Sequence, residues 1–204
     1  MNGRNEVVHS KMNVHQLVKI AVLGVIAFLL MLVRMPIFFA PSFMDLDVSE
    51  MPGLLASFSM GPVAGFFVIL LKIVLKLMMS GTTTQYVGEI SNIIVSSALV
   101  VTAGFIYQRR RTFRNAIFAM AIGVIAMAVT ATISNYFVIF PLYGKLMGIS
   151  LDEFANAVRE VNPLVKDFKS LMVFSIAPFN LVKGLLTAVL TTVLYKRLSP
   201  ILKK

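Results

Sequence analysis

The chain has 204 residues, 58% of them hydrophobic and only 14% charged, with a mean hydropathy of +0.86. A water-soluble domain carries about a quarter charged residues, so this composition excludes an ordinary soluble domain and indicates an integral membrane protein. The absence of cysteine excludes disulfides and thiolate sites, and two histidines (His9, His15) are too few for a histidine-rich metal centre. The net charge of +10 sits in short stretches between apolar runs, the pattern of topology signals rather than of a nucleic-acid-binding face.

Apolar runs fall at 14–33, 51–60, 61–79, 87–106, 116–140 and 171–195. A span needs about 20 apolar residues, which the first run and the last three satisfy. No small-residue cleavage site follows the first run, so it reads as a retained helix rather than a signal peptide. Its small residues Ala21, Gly24 and Ala27 fall loosely on one face, where they serve either ordinary packing or close approach of a partner helix. Residues 51–79 are long for one helix and carry Gly61-Pro62, which predicts a short helix, a tight turn and a second helix.

Charge decides the topology. Arg4, Lys11 and Lys19 flank the first run; Arg109, Arg110, Arg111 and Arg114 fill the connection between the fourth and fifth; Lys196, Arg197, Lys203 and Lys204 form the tail. With 51–79 as two helices, all three clusters lie on one side, as the positive-inside rule requires. The sequence thus predicts an all-α membrane protein of six transmembrane helices in a single domain, with both termini cytoplasmic. The outer connections are then 34–50, with Pro36, Pro41, Asp45, Asp47 and Glu50; 80–86; and the charge-balanced 141–170. Within the last, Ser150 and Glu153 read as a capping box. Leu151, Phe154, Ala155, Val158 and Val161 follow helical spacing, predicting a short amphipathic helix over about 150–161 on the outer surface.

Inside the spans stand Glu89, Asn92, Asn135, Asn180 and Lys183. A charged group at the bilayer centre costs about 2.5–3.5 kcal/mol on insertion scales, so these residues face the bundle interior. Glu89 and Asn92 are three apart, as are Asn180 and Lys183, so each pair shares a helix face. Pro178 lies just before the second pair and frees carbonyls one turn earlier. Two readings follow. One is a structural network, with Glu89 neutralising Lys183 and the asparagines bonding across helices. The other, the default for intramembrane polar groups, is a site for a polar small molecule. Lys76 can snorkel to the outer surface if its helix ends near Met79, Lys72 can line the cavity, and for both residues snorkelling or a structural role is the other reading. No Gly-x-Ser-x-Gly, His-Glu-x-x-His or phosphate-binding Gly-x-x-x-x-Gly-Lys-[Ser/Thr] motif occurs, so neither an enzyme nor a built-in ATPase is indicated.

Several stretches together resemble the riboflavin-specific S component of energy-coupling-factor (ECF) transporters. They are Leu46-Asp47-Val48-Ser49-Glu50-Met51-Pro52, the Gly61-Pro62 break, Gly88-Glu89-Ile90-Ser91-Asn92, Ser134-Asn135-Tyr136-Phe137, and Ala177-Pro178-Phe179-Asn180-Leu181-Val182-Lys183-Gly184. The resemblance covers nearly the whole chain; the last motif and the Asp-Val-Ser-Glu-Met-Pro stretch are its most specific parts. It implies a six-helix subunit of a prokaryotic plasma membrane. Such a subunit captures a vitamin outside and delivers it inward together with a T subunit and two ATPase subunits. It implies that Asn135, Asn180 and Lys183 hydrogen-bond the flavin ring and that a small-residue face on the first helix, here Ala21, Gly24 and Ala27, docks the T subunit. The loop around Asp47 would cover the site, and Glu89, Asn92, Thr83 and Gln85 would take ribityl hydroxyls. The expected ligand is riboflavin, with flavin mononucleotide as a second candidate, and no cofactor or metal is expected. The alternatives are an S component for another vitamin or nucleobase-like substrate, and, from a different class, an intramembrane enzyme or structural module.

Overall fold

The structure, a computed structural model, describes residues 13–37 and 44–202, with side chains to residue 195. Arg4, His9, Lys11, Pro41, Lys203 and Lys204, and the side chains of Lys196 and Arg197, lie outside the described residues. Helix α1 (Val14–Leu32) opens on Asn13, whose side chain accepts from the Gln16 amide while Gln16 returns the bond to the Asn13 amide. This reciprocal cap satisfies two donors that a helix start leaves open.

After α1 the chain forms a small hairpin that the sequence does not announce: β1 (Met35–Pro36) pairs antiparallel with β2 (Asp45–Leu46). Helix α2 (Met51–Met60) follows and ends at Gly61, whose φ of +109° is a conformation that side chains rarely adopt. Pro62 then opens α3 (Pro62–Ser80), a position where its missing N–H costs nothing. Residues 51–79 are therefore two helices. With 10 residues, α2 is about 15 Å long, half the hydrocarbon core of a bilayer.

Among the described residues, five helices are long and apolar enough to cross a membrane: Val14–Leu32, Pro62–Ser80, Val87–Arg109, Phe113–Met147 and Phe168–Tyr195. Helix α4 is Val87–Arg109, entered through Gln85 and Tyr86, both at positive φ. Thr112 caps α5 (Phe113–Ser134), and Asn115 Nδ2 donates to the Ile106 and Arg110 carbonyls, closing the arginine-bearing connection. A π-helical turn (Asn135–Ile139) joins α5 to α6 (Phe140–Met147), so the fifth run continues beyond residue 140, into what the sequence reads as loop.

Helix α7 (Leu151–Arg159) has the reciprocal Ser150–Glu153 cap. It buries Phe154, Ala155 and Val158, with the Phe154 ring edge-on to Phe140; Val161 lies past its end and is exposed. Helix α8 (Phe168–Leu171), a second π-helical turn (Met172–Ile176) and α9 (Ala177–Leu202) form the last long helix. Pro178 has no N–H for the carbonyl of Phe174, four residues earlier, and the buried side chain of Asn162 donates to that carbonyl at 3.0 Å.

Helix α2 sits at the centre, packed by α1, α3, α4 and α9, with Pro52 to Phe58 all buried. Its Ser57 hydroxyl donates to the Val100 carbonyl of α4 at 2.8 Å, beside Gly104 of the same helix. A Cβ on Gly104 would stand 1.9 Å from Ser57 Oγ and 3.2 Å from Pro62. Gly104→Ala should therefore cost about 1–3 kcal/mol, read as a lower thermal midpoint in detergent; an unchanged midpoint would contradict this packing.

Candidate substrate-binding site

One end of the bundle opens into a cavity of about 970 Å³, counting its open mouth. Its mixed polar and apolar walls suit a small organic ligand. Its walls come from the first turns of α4 (Glu89, Asn92, Ser96), the π-helical turn after α5 (Asn135), the start of α9 (Phe179, Asn180, Lys183) and the segment before α2 (Asp45, Asp47). Met127, Val95, Ile139 and Phe179 supply apolar surface.

Both helix irregularities fall beside the site. Asn135 begins the first π-helical turn, and Asn180 follows the second by one helical turn. Such turns recur at functional positions because they break the regular register of a helix. Each asparagine donates one amide hydrogen to its own helix, Asn135 to the Ala131 carbonyl at 2.7 Å and Asn180 to that of Ile176 at 2.9 Å. An amide has two donors and an acceptor, so each keeps a donor and an acceptor for a ligand. Lys183 Nζ donates to Asp47 Oδ2 at 3.0 Å and Glu50 Oε1 at 3.2 Å, which leaves its third hydrogen.

The charges pair differently from the structural network that was one of the two readings of the sequence. Glu89 does not neutralise Lys183. It binds Lys76, and its second oxygen accepts from Thr82 and Thr84 at 3.1 and 2.9 Å. Lys76 accordingly does not snorkel; it is buried on Glu89 and the Gly81 carbonyl. Lys72 neither snorkels nor lines the cavity: fully buried, it donates to Ser49 Oγ at 2.7 Å and Glu50 at 2.9 Å. A lysine stem within a bundle reaches whichever acceptors lie at its tip, and here each lysine meets a carboxylate, with Ser49 Oγ or the Gly81 carbonyl beside it.

Of the residues picked out from the sequence, Asp47, Thr83, Glu89, Asn92, Asn135, Asn180 and Lys183 line one cavity. Gln85 is not among the lining residues; it is exposed in the turn before α4. Glu50, Ser96 and Thr84 carry the polar network and were not picked out. For Glu50 a signal existed: it is an acid immediately before an apolar run, and its charge hides the fact that it is fully buried. The small residues of α1 also divide. Ala27 is buried, and a Cβ on Gly24 would meet Leu71 of α3 at 2.5 Å, so these two serve packing within the chain, while Ala21 is exposed.

Burial raises the Asp47 carboxyl, but Lys183, Lys72 and the Ser49 hydrogen bonds outweigh it and hold the group at about 2, against an ordinary 3.8. A depressed carboxyl stabilises the fold above its ordinary value and loses that contribution as pH falls toward its folded value. The thermal midpoints of the protein and of Asp47→Asn should thus differ by a constant amount above about pH 5, on the order of 2 kcal/mol. The gap should close below pH 4. A gap that persists to pH 2 would contradict the pairing.

Comparison with known proteins agrees along the whole chain. The family model for the substrate-specific component of ECF transporters matches residues 15–195. The riboflavin transporter RibU of Staphylococcus aureus is 35% identical over 100% of both chains. The riboflavin transporter FmnP of Bacillus subtilis is 28% identical over 93% of this chain and 94% of its own. A solved S component of a bacterial ECF transporter superposes with a TM-score of 0.73 at 34% identity, covering 93% of this chain and 98% of that one. The chain belongs to the substrate-specific components of ECF transporters, membrane transport proteins rather than enzymes.

Proposed function

We propose that this chain is the riboflavin-binding subunit of an ECF transporter in a prokaryotic plasma membrane. It would take the vitamin from outside and pass it inward with a T subunit and two ATPase subunits. The observation that carries this reading is the convergence of Asn135, Asn180 and Lys183 on one cavity, in a chain 35% identical end to end to a riboflavin transporter. The pyrimidine edge of a flavin offers two carbonyls and an imide N–H. Two amides and an ammonium, each with unspent hydrogen-bonding capacity, match that edge. The apolar walls suit its fused rings, and Glu89, Asn92 and Thr83 line the same cavity for ribityl hydroxyls.

Orientation follows from charge. The cavity lies at the start of α4, and Arg109, Arg110, Arg111 and Arg114 lie at and beyond its far end. With the arginines cytoplasmic, the cavity opens outside. The short α2 acts with α3 as the second and third of six spans, placing both termini inside. The outward face of α1, with Ala21 exposed and Gly24 and Ala27 setting its distance from α3, is the proposed docking surface for the T subunit.

Flavin mononucleotide is a second ligand that one observation favours. Arg34 lines the cavity mouth, partly exposed and only loosely paired to Asp45 at 3.6 Å, where a phosphate could compete for it.

Asn180→Ala and Lys183→Met should each weaken riboflavin binding by about 1–3 kcal/mol, since each leaves a buried ligand group unpaired. Fluorescence titration of folded protein in detergent checks this, and unchanged affinity in both would return the residues to a structural role. Proteoliposomes holding this chain alone should bind riboflavin without accumulating it, while addition of the T and ATPase subunits with ATP should give concentrative uptake. Uptake against a gradient by the isolated chain would overturn the division of labour.

A further inference from the structure

Beneath the cavity two lysines and two carboxylates form a closed set of charges. Glu50 Oε1 alone accepts from Lys72 at 2.9 Å, from Lys183 at 3.2 Å and from Ser96 at 2.8 Å. Its other oxygen, Oε2, is buried without a hydrogen-bond partner. A carboxylate serving only to anchor Lys72 would be expected to use both oxygens, because a buried unpaired acceptor is costly. This one is placed so that a single oxygen bridges the two ammonium groups. Asp47 completes the set on the far side of Lys183, at 3.0 Å. Lys183 and Asp47 line the cavity; Lys72 and Glu50 do not.

The arithmetic of charge gives Lys72 a role. Facing Asp47 and Glu50 alone, Lys183 would be over-neutralised, and the cavity floor would carry a net negative charge that repels a ligand's carbonyl oxygens. With Lys72 holding Glu50, the four charges sum to zero and Lys183 keeps the character of a cationic donor. Little water reaches the set, since the Lys72 and Glu50 side chains are both at 0% exposure, so the field is weakly screened.

We propose that Lys72 is a positioning residue of the substrate site: acting through Glu50, it balances the charge beneath Lys183 and makes the cavity floor select ligands that present an electron-rich, carbonyl-bearing edge. This rests on the riboflavin reading above. Where a transition of bound riboflavin moves electron density toward its pyrimidine end, a more positive field there lowers its energy and a more negative one raises it, so the visible band reads the field.

The test compares Lys72→Met, Glu50→Gln and the double variant with the parent protein, each purified in detergent and titrated with riboflavin. Lys72→Met should raise Kd at least about tenfold and shift the bound band to the blue of the parent. Glu50→Gln should shift it to the red. The double variant, neutral like the parent, should return the band and bring Kd back to within about threefold. Should Lys72→Met not fold, Glu50→Gln and the double variant still differ by one charge and carry the comparison. Variants that differ in thermal midpoint but share one band position and one Kd would overturn the proposal and leave Lys72 a structural residue. A parent protein that binds no riboflavin would overturn the functional reading and this inference with it.

Discussion

The fold depends on a buried ion network that joins one loop to three helices. Asp47, Ser49 and Glu50 stand within four residues of each other in the segment before α2, and they take Lys72 of α3, Ser96 of α4 and Lys183 of α9. Removing a fully buried member, Lys72 or Glu50, strands a charge in a medium of low dielectric, which costs about 3–5 kcal/mol. The set is therefore held together, and it fixes the hairpin and the cavity mouth relative to the cavity floor. Loop anchoring and cavity wall share one side chain, because Lys183 holds Asp47 and also lines the cavity.

Backbone irregularity does the remaining work. A regular helix spends its carbonyls and amides internally, so a site in the middle of a bundle needs places where that pairing is relaxed. Pro178 and the two π-helical turns supply them, and Asn135, Asn180 and Asn162 return hydrogen bonds to the carbonyls of the affected helices. The asparagines at the cavity are thus oriented by their own helices before any ligand arrives, which lowers the cost of ordering them on binding.

Much of this was legible in the chain. Hydropathy marked the long helices, Gly61-Pro62 marked the break between α2 and α3, and Ser150 with Glu153 marked α7, because each is a local signal with a local cause. Polar residues in apolar runs marked most of the cavity for the same reason. The pairing of the charges was not legible. Glu50 meets Lys72 across 22 residues and Asp47 meets Lys183 across 136, and only the packing of α2 between α3, α4 and α9 brings them together. The π-helical turns also escaped, since the runs that hold them are apolar nearly all round and a one-residue change of register leaves no mark in such a pattern. Gly24 and Ala27 look like a docking face in sequence, but a small residue marks close approach without saying which helix approaches.

The most direct test of the account is the visible absorption spectrum of the protein purified in detergent from cells grown on rich medium. The account predicts a flavin band that co-purifies with the chain, is released on denaturation and has the mass of riboflavin. A colourless protein that also fails to bind added riboflavin would contradict it, and the amides and ammonium around the cavity would then belong to a different substrate.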